Sequence, residues 1–169
     1  MILTSSEIVT NVSTRGFDSA LIKDADILAT ELRYFSEIVG EELYNNIVAN
    51  PSDYASLLAI LKPALSYYAL YMAFWDINGE VNDRGIFALN QQNGTTPDTE
   101  KLKTIRESYT NKANGLMQDA LKLIITEYDA NNTDYTTYLT EILIFNIYDT
   151  LDSLNSVVFT SNTKMINRL

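Results

Sequence analysis

The sequence predicts an all-α protein, a helical bundle of four to five main helices with one long irregular loop and an extended C-terminal tail. Three observations carry that expectation. Apolar residues recur at steps of three and four through most of the 169 residues, only six Gly and three Pro interrupt them, and a single stretch, 78–97, lacks helical periodicity. A chain of this length fits one domain, here 1–169, with 79–95 as a protruding loop and 157–169 as the tail.

A short first helix is expected over Ser5–Asn11, with Thr4 and Ser5 as cap candidates and Gly16 in the following turn. The next helix carries Leu21, Ala25, Leu28, Leu32, Phe35 and Val39 on one face. Lys23, Asp24, Glu31 and Arg33 fall on the other, so that row is expected to face the core. Gly40 stops or bends the helix, and Glu41–Ala49 continues with Leu43, Ile47 and Val48 inward until Asn50-Pro51 ends the run.

Ser52 is the expected cap of the third main helix, whose stripe runs Tyr54, Leu57, Leu58, Leu61, Leu65, Tyr68, Met72 and Trp75. Pro63 lies inside it and lacks the N–H that would bond residue 59, which predicts a kink or break near Leu61 and Lys62. Beyond Pro63 the helix is apolar on nearly all sides, as befits a central helix or one covered by a neighbouring subunit.

The segment NGEVNDRGIFALNQQNGTTP is irregular, with Ile86, Phe87 and Leu89 suited to a short strand and Asn82-Asp83-Arg84-Gly85 to a turn. Thr96 and Pro97 open a long helix to about Asp129, with Leu102, Ile105, Tyr109, Leu116, Ala120, Leu123 and Glu127 along one face. Asn131-Asn132 breaks the chain, and one last helix is expected over Asp134–Leu154. The tail Val157–Leu169 follows.

Composition bounds the chemistry. There is no His and no Cys, which removes the commonest general base, the thiol nucleophile, disulfides and the usual zinc, copper and haem ligands. Twelve Lys and Arg against 22 Asp and Glu give a net charge of −10, which disfavours a dedicated nucleic-acid binder. No secretory signal and no run of 18 apolar residues is evident, so a soluble protein with no membrane association is expected. Neither metal nor cofactor is expected. The carboxylate pairs Asp24 with Asp26, Glu41 with Glu42, and Asp149 with Asp152 read as solvated faces; an enzyme would have to rest on groups such as Glu141, Asp149 and Asp152.

Two features point to surfaces. Tyr67, Tyr68 and Tyr71 cluster with Phe74 and Trp75; tyrosine is favoured where surfaces meet, although ordinary core packing is the commoner reason for such a cluster. Between Lys122 and Lys164 stand Glu127, Asp129, Asp134, Glu141, Asp149 and Asp152 with no base among them, a candidate acidic surface facing DNA or a basic partner.

The order DADILATELRYFSEIVGEELYNNI, a short break, then YASLLAILKPALSYYALYMAFWDINGEVNDRGIF resembles the head-to-tail connector (adaptor) proteins of tailed bacteriophages, in particular those of crAss-like and other Bacteroides-infecting phages. The elements are Val39-Gly40 followed by Leu43-Tyr44, a second helix with Leu58, Pro63 and the tyrosine-rich run, and a turn ending in Gly85. They span about Asp24 to Phe87. The resemblance implies a non-enzymatic virion subunit that forms a ring, commonly twelve-fold, beneath the portal and extends the channel through which DNA passes. Its partners would be copies of itself, the portal protein and tail or further neck proteins. Its place would be the virion neck, and the host cytoplasm during assembly. On that reading Tyr67, Tyr71, Phe74, Arg84, Ile86, Phe87, Leu89, Val158, Phe159, Met165 and Leu169 are candidates for subunit or portal contacts, and the six acids for the channel surface. The alternative is a small acidic helical module that sequesters a basic host or phage protein.

Overall fold

Thr4 and Glu7 begin the first helix by capping each other. The Glu7 backbone N–H donates to Thr4 Oγ1 at 3.3 Å, and the Thr4 N–H donates to Glu7 Oε2 at 2.9 Å, a reciprocal capping box. In the computed structural model, which describes residues 1–12, 19–82, 85–88, 99–140 and 143–154, with 75–82, 85–88 and 99 by backbone only, this helix, α1, spans Ser5–Val12. It turns Ile8 into the core, while Asn11 Nδ2 donates to Ser66 Oγ at 2.9 Å.

After a 3-10 turn at Ser19–Leu21, α2 runs Asp24–Glu31, widens into a π-helical stretch at Leu32–Ser36 and closes with Glu37–Val39. Its core face departs from the expected one. Ile27, Thr30, Glu31, Phe35 and Val39 are buried, whereas Leu21, Ala25, Leu28 and Leu32 are exposed. The π turn explains the difference. In an ideal α-helix residues at steps of four drift by about 40° per step, so Ile27, Glu31, Phe35 and Val39 would fan apart; the wider turn takes back part of that drift and holds them in one row.

Gly40 ends α2 at φ +89°, where only glycine is unstrained, and α3 follows over Glu41–Ala49 as expected, burying Leu43, Tyr44 and Ile47. The next helix, α4, begins at Ala55 and not beside Ser52, whose hydroxyl instead bonds the Asp53 carboxylate at 3.2 Å. It continues unbroken to Asn78 through Pro63. The carbonyl that Pro63 leaves without a donor belongs to Ala59, an exposed residue, so water can satisfy it and the helix need not break. Packed by α1, α2 and the long helix α5 (Thr99–Asp129), α4 is the central element. Ala55–Phe74 is long and apolar enough to cross a membrane, but most of it is buried inside the protein, as in a core helix.

Between α4 and α5 the irregular segment contains an antiparallel hairpin, β1 (Gly79–Asn82) with β2 (Gly85–Ala88), in the register Gly79 to Ala88 and Asn82 to Gly85. On α5 the buried residues are the apolar Ala113, Met117, Ala120, Leu121 and Ile124 together with Asn114. The expected face is therefore rotated: Ile105 is exposed, and Tyr109, Leu116 and Leu123 are only partly buried. Asn131 at φ +58° closes α5, and the Asn132 side chain caps α6 (Thr133–Thr136) by accepting from the Asp134 N–H at 3.0 Å.

The single last helix of the sequence reading is divided. α6 stops at Thr136, and helix α7 occupies 143–154, with Tyr135, Leu139, Ile147 and Leu151 completing the core. Apart from the hairpin, the described residues form the all-α fold that the periodicity predicts.

Candidate assembly surfaces

Tyrosines tie the helices together. Tyr68 is buried, stacks on Tyr34 of α2 with centroids 4.0 Å apart and rings 6° from parallel, and donates to Asn114 Oδ1 of α5 at 2.7 Å. Tyr54 accepts from Asn46 Nδ2 and donates to the Asp134 carbonyl at 2.6 Å, joining α3 to α6. Burial, with neighbouring Tyr34, pushes the Tyr68 phenol up, and burial with nearby Glu127 does the same at Tyr135. These rings are structural.

Of the expected aromatic contacts, Phe74 is buried at 3% exposure and meets Tyr109 edge-on at 6.2 Å, so it belongs to the α4–α5 packing and not to a free surface. Tyr67 and Tyr71 are partly buried under cations from α5: Arg106 lies 4.0 Å from the Tyr71 ring centroid and Lys112 lies 5.3 Å from that of Tyr67. Ile86 and Phe87 fall on β2. Arg84, Leu89, Val158, Phe159, Met165 and Leu169 lie outside the described residues, as does Glu141.

The acidic set separates into two. Asp129, Asp149 and Asp152 are exposed. Glu127 and Asp134 are partly buried at the α5–α6 corner, where Glu127 Oε2 accepts from Asn132 Nδ2 at 2.8 Å. Among the described residues no group of three or more acids is placed to hold a metal ion.

Two apolar rows are left open instead, and the first of them is the row that the periodicity places toward the core. One is the outer row of α2, with Leu28 and Leu32 each more than 40% exposed, and Leu21 of the preceding 3-10 turn is exposed as well. The other is on α7, where Phe145 is 70% and Tyr148 48% exposed beside Asp149 and Asp152 at helical spacing. The helical spacing places each set of exposed apolar side chains on one outer face of its helix.

An unexpected polar centre holds the chain's beginning. Glu31 is fully buried, and its carboxylate accepts from the Ile2 and Leu3 backbone N–H groups, each at 2.8 Å, and from the Tyr44 hydroxyl at 2.7 Å. Burial, then this hydrogen bond and the charge of Glu31, push the Tyr44 phenol well up. Lys62 and Glu7 form a second tie at 2.6 Å. Burial works to raise the Glu7 carboxyl, but the Lys62 and Thr4 hydrogen bonds outweigh it and hold the group below its ordinary value. Neither tie announces itself in sequence, where Glu31 falls among charged neighbours.

The described residues thus define a helical protein with exposed apolar rows on α2 and α7. Residues 16–144 match the model of a family of unknown function, DUF6712, and the chain belongs to that family. No curated protein and no solved structure matches it significantly.

Proposed function

We propose that this chain is a structural subunit of a phage neck, an adaptor that assembles into a ring under the portal and extends the DNA channel toward the tail. The observation that carries the reading is the pair of open apolar faces on different helices, α2 and α7. A ring is built from a heterologous contact in which one patch of each subunit meets a different patch of the next, so it needs two unlike faces on every copy. The resemblance across 24–87 supports the same reading. So does the exposed acidic side of α7, whose like charge lets DNA slide past without being held.

Nothing in this role calls for a catalytic group. The ring requires docking on a platform, so the test is binding to assembled portal rings followed by electron microscopy. Extra density in register with the portal subunits supports the adaptor; stoichiometric capture of a single basic host protein, with no portal binding, would support the sequestering module instead.

A further inference from the structure

Gly115 stands in the middle of α5, where glycine costs about 1 kcal/mol relative to alanine. Nothing inside the chain requires it. A Cβ placed there meets no atom within 4 Å. The residue opens onto a shallow groove of about 540 Å³, lined by Tyr67, Asn111, Lys112, Leu116, Gln118 and Asp119. A missing side chain and an unfilled groove together describe a place where another backbone comes close.

The charges select what comes close. Lys112 and Asp119 are exposed and seven residues apart, two helical turns, so they share a face. Gly115 and Leu116 lie at their midpoint. This pattern is its own complement when reversed. If two copies of α5 cross antiparallel at Gly115, Lys112 of each meets Asp119 of the other, and the two-fold axis passes through the glycine. Elsewhere a net charge of −10 opposes self-association, and a two-fold contact on α7 would set Asp149 and Asp152 against their own copies. On the groove face the two charges offset each other, and the Lys122 that Asp119 meets on its own helix at 3.7 Å is an exposed partner with which the second copy's Lys112 competes.

We propose that α5 carries a self-association surface on which a second copy of this chain packs antiparallel across Gly115, with Leu116 and Tyr67 covered. This two-fold contact does not rest on the ring reading, which uses α2 and α7, so changes to those helices leave it intact.

The test is sedimentation equilibrium of the whole chain with charge reversals. K112E and D119K should each weaken the dimer roughly tenfold, and K112E/D119K together should restore it, because reversal of both signs recreates the complement. The chain has no cysteine, which permits a second reading. On oxidation G115C should form a disulfide-linked dimer, since the crossing brings the two Cα atoms within about 7 Å, whereas E107C, displaced along the helix from the axis, should not. Circular dichroism confirms that each variant is folded. A chain that stays monomeric at all concentrations, a dimer indifferent to the charge reversals, or a small molecule in the groove of a monomer would overturn the proposal.

Discussion

Tyr44 donates its phenolic hydrogen to the Glu31 carboxylate at 2.7 Å inside the core, on the same carboxylate that receives the Ile2 and Leu3 backbone N–H groups. A buried carboxylate survives without a cation only when its lone pairs are occupied, and here three donors occupy them. The arrangement fastens the residues before α1 to α2 and α3.

Removal of that acceptor leaves three buried donors unpaired. E31A should cost about 3 kcal/mol or more, E31Q less because one oxygen remains, and Y44F roughly 1–2 kcal/mol. Urea denaturation of the three variants checks the order. The raised Tyr44 phenol adds a pH signature. Its contribution is fully present below the ordinary tyrosine value and is lost as pH rises above it, so Y44F should flatten the alkaline limb of the stability profile.

The Glu7–Lys62 pair acts at the acid end. Its folded carboxyl sits below its ordinary value, so the stabilisation is present above that value and disappears as pH falls through the folded one. With Glu7 and Lys62 side chains 38% and 31% exposed, the contribution should stay under about 1 kcal/mol and shrink with salt. E7Q measured by thermal melts between neutral and acid pH should lose the acid-dependent part while leaving the alkaline limb as it was.

Gly40 couples backbone to packing. Its φ of +89° disfavours any side chain, and a Cβ there would come within 2.7 Å of the Leu143 side chain on α7. G40A should destabilise by about 1–3 kcal/mol, mostly through the backbone, since the end of Leu143 can shift. A double variant with L143A should recover only the smaller, steric part.

The outer row of α2 should behave oppositely. L28E and L32E change exposed positions, so their effect on monomer stability should lie within about 0.5 kcal/mol, yet both should abolish portal-dependent assembly. F145S and Y148S should do the same from the other side of the contact. Comparison of melting curves with portal co-sedimentation separates the two effects.

Much of this fold is legible in the sequence where a local rule operates alone. The Thr4 cap, the Gly40 stop, the limits of α3 and the Asn131-Asn132 break each depend on a few adjacent residues. Periodicity misleads where a distant contact decides. Leu28 and Leu32 fit an ideal helical stripe better than Glu31 does, but the π turn at Leu32–Ser36 and the donors from Ile2, Leu3 and Tyr44 select Glu31 for the core. Phe145 and Tyr148 belong to a helix that is apolar on almost every side, so its sequence alone does not tell which side is covered. The open faces are thus invisible to a pattern that assumes every apolar row is covered within one chain.

Reconstruction by electron microscopy of the neck of the virion whose genome encodes this chain tests the central claim most directly. The account predicts a ring of copies directly beneath the portal, with α2 of each subunit packed against α7 of the next. Purified virions that lack the chain altogether, or a neck in which no layer fits its fold, would contradict it.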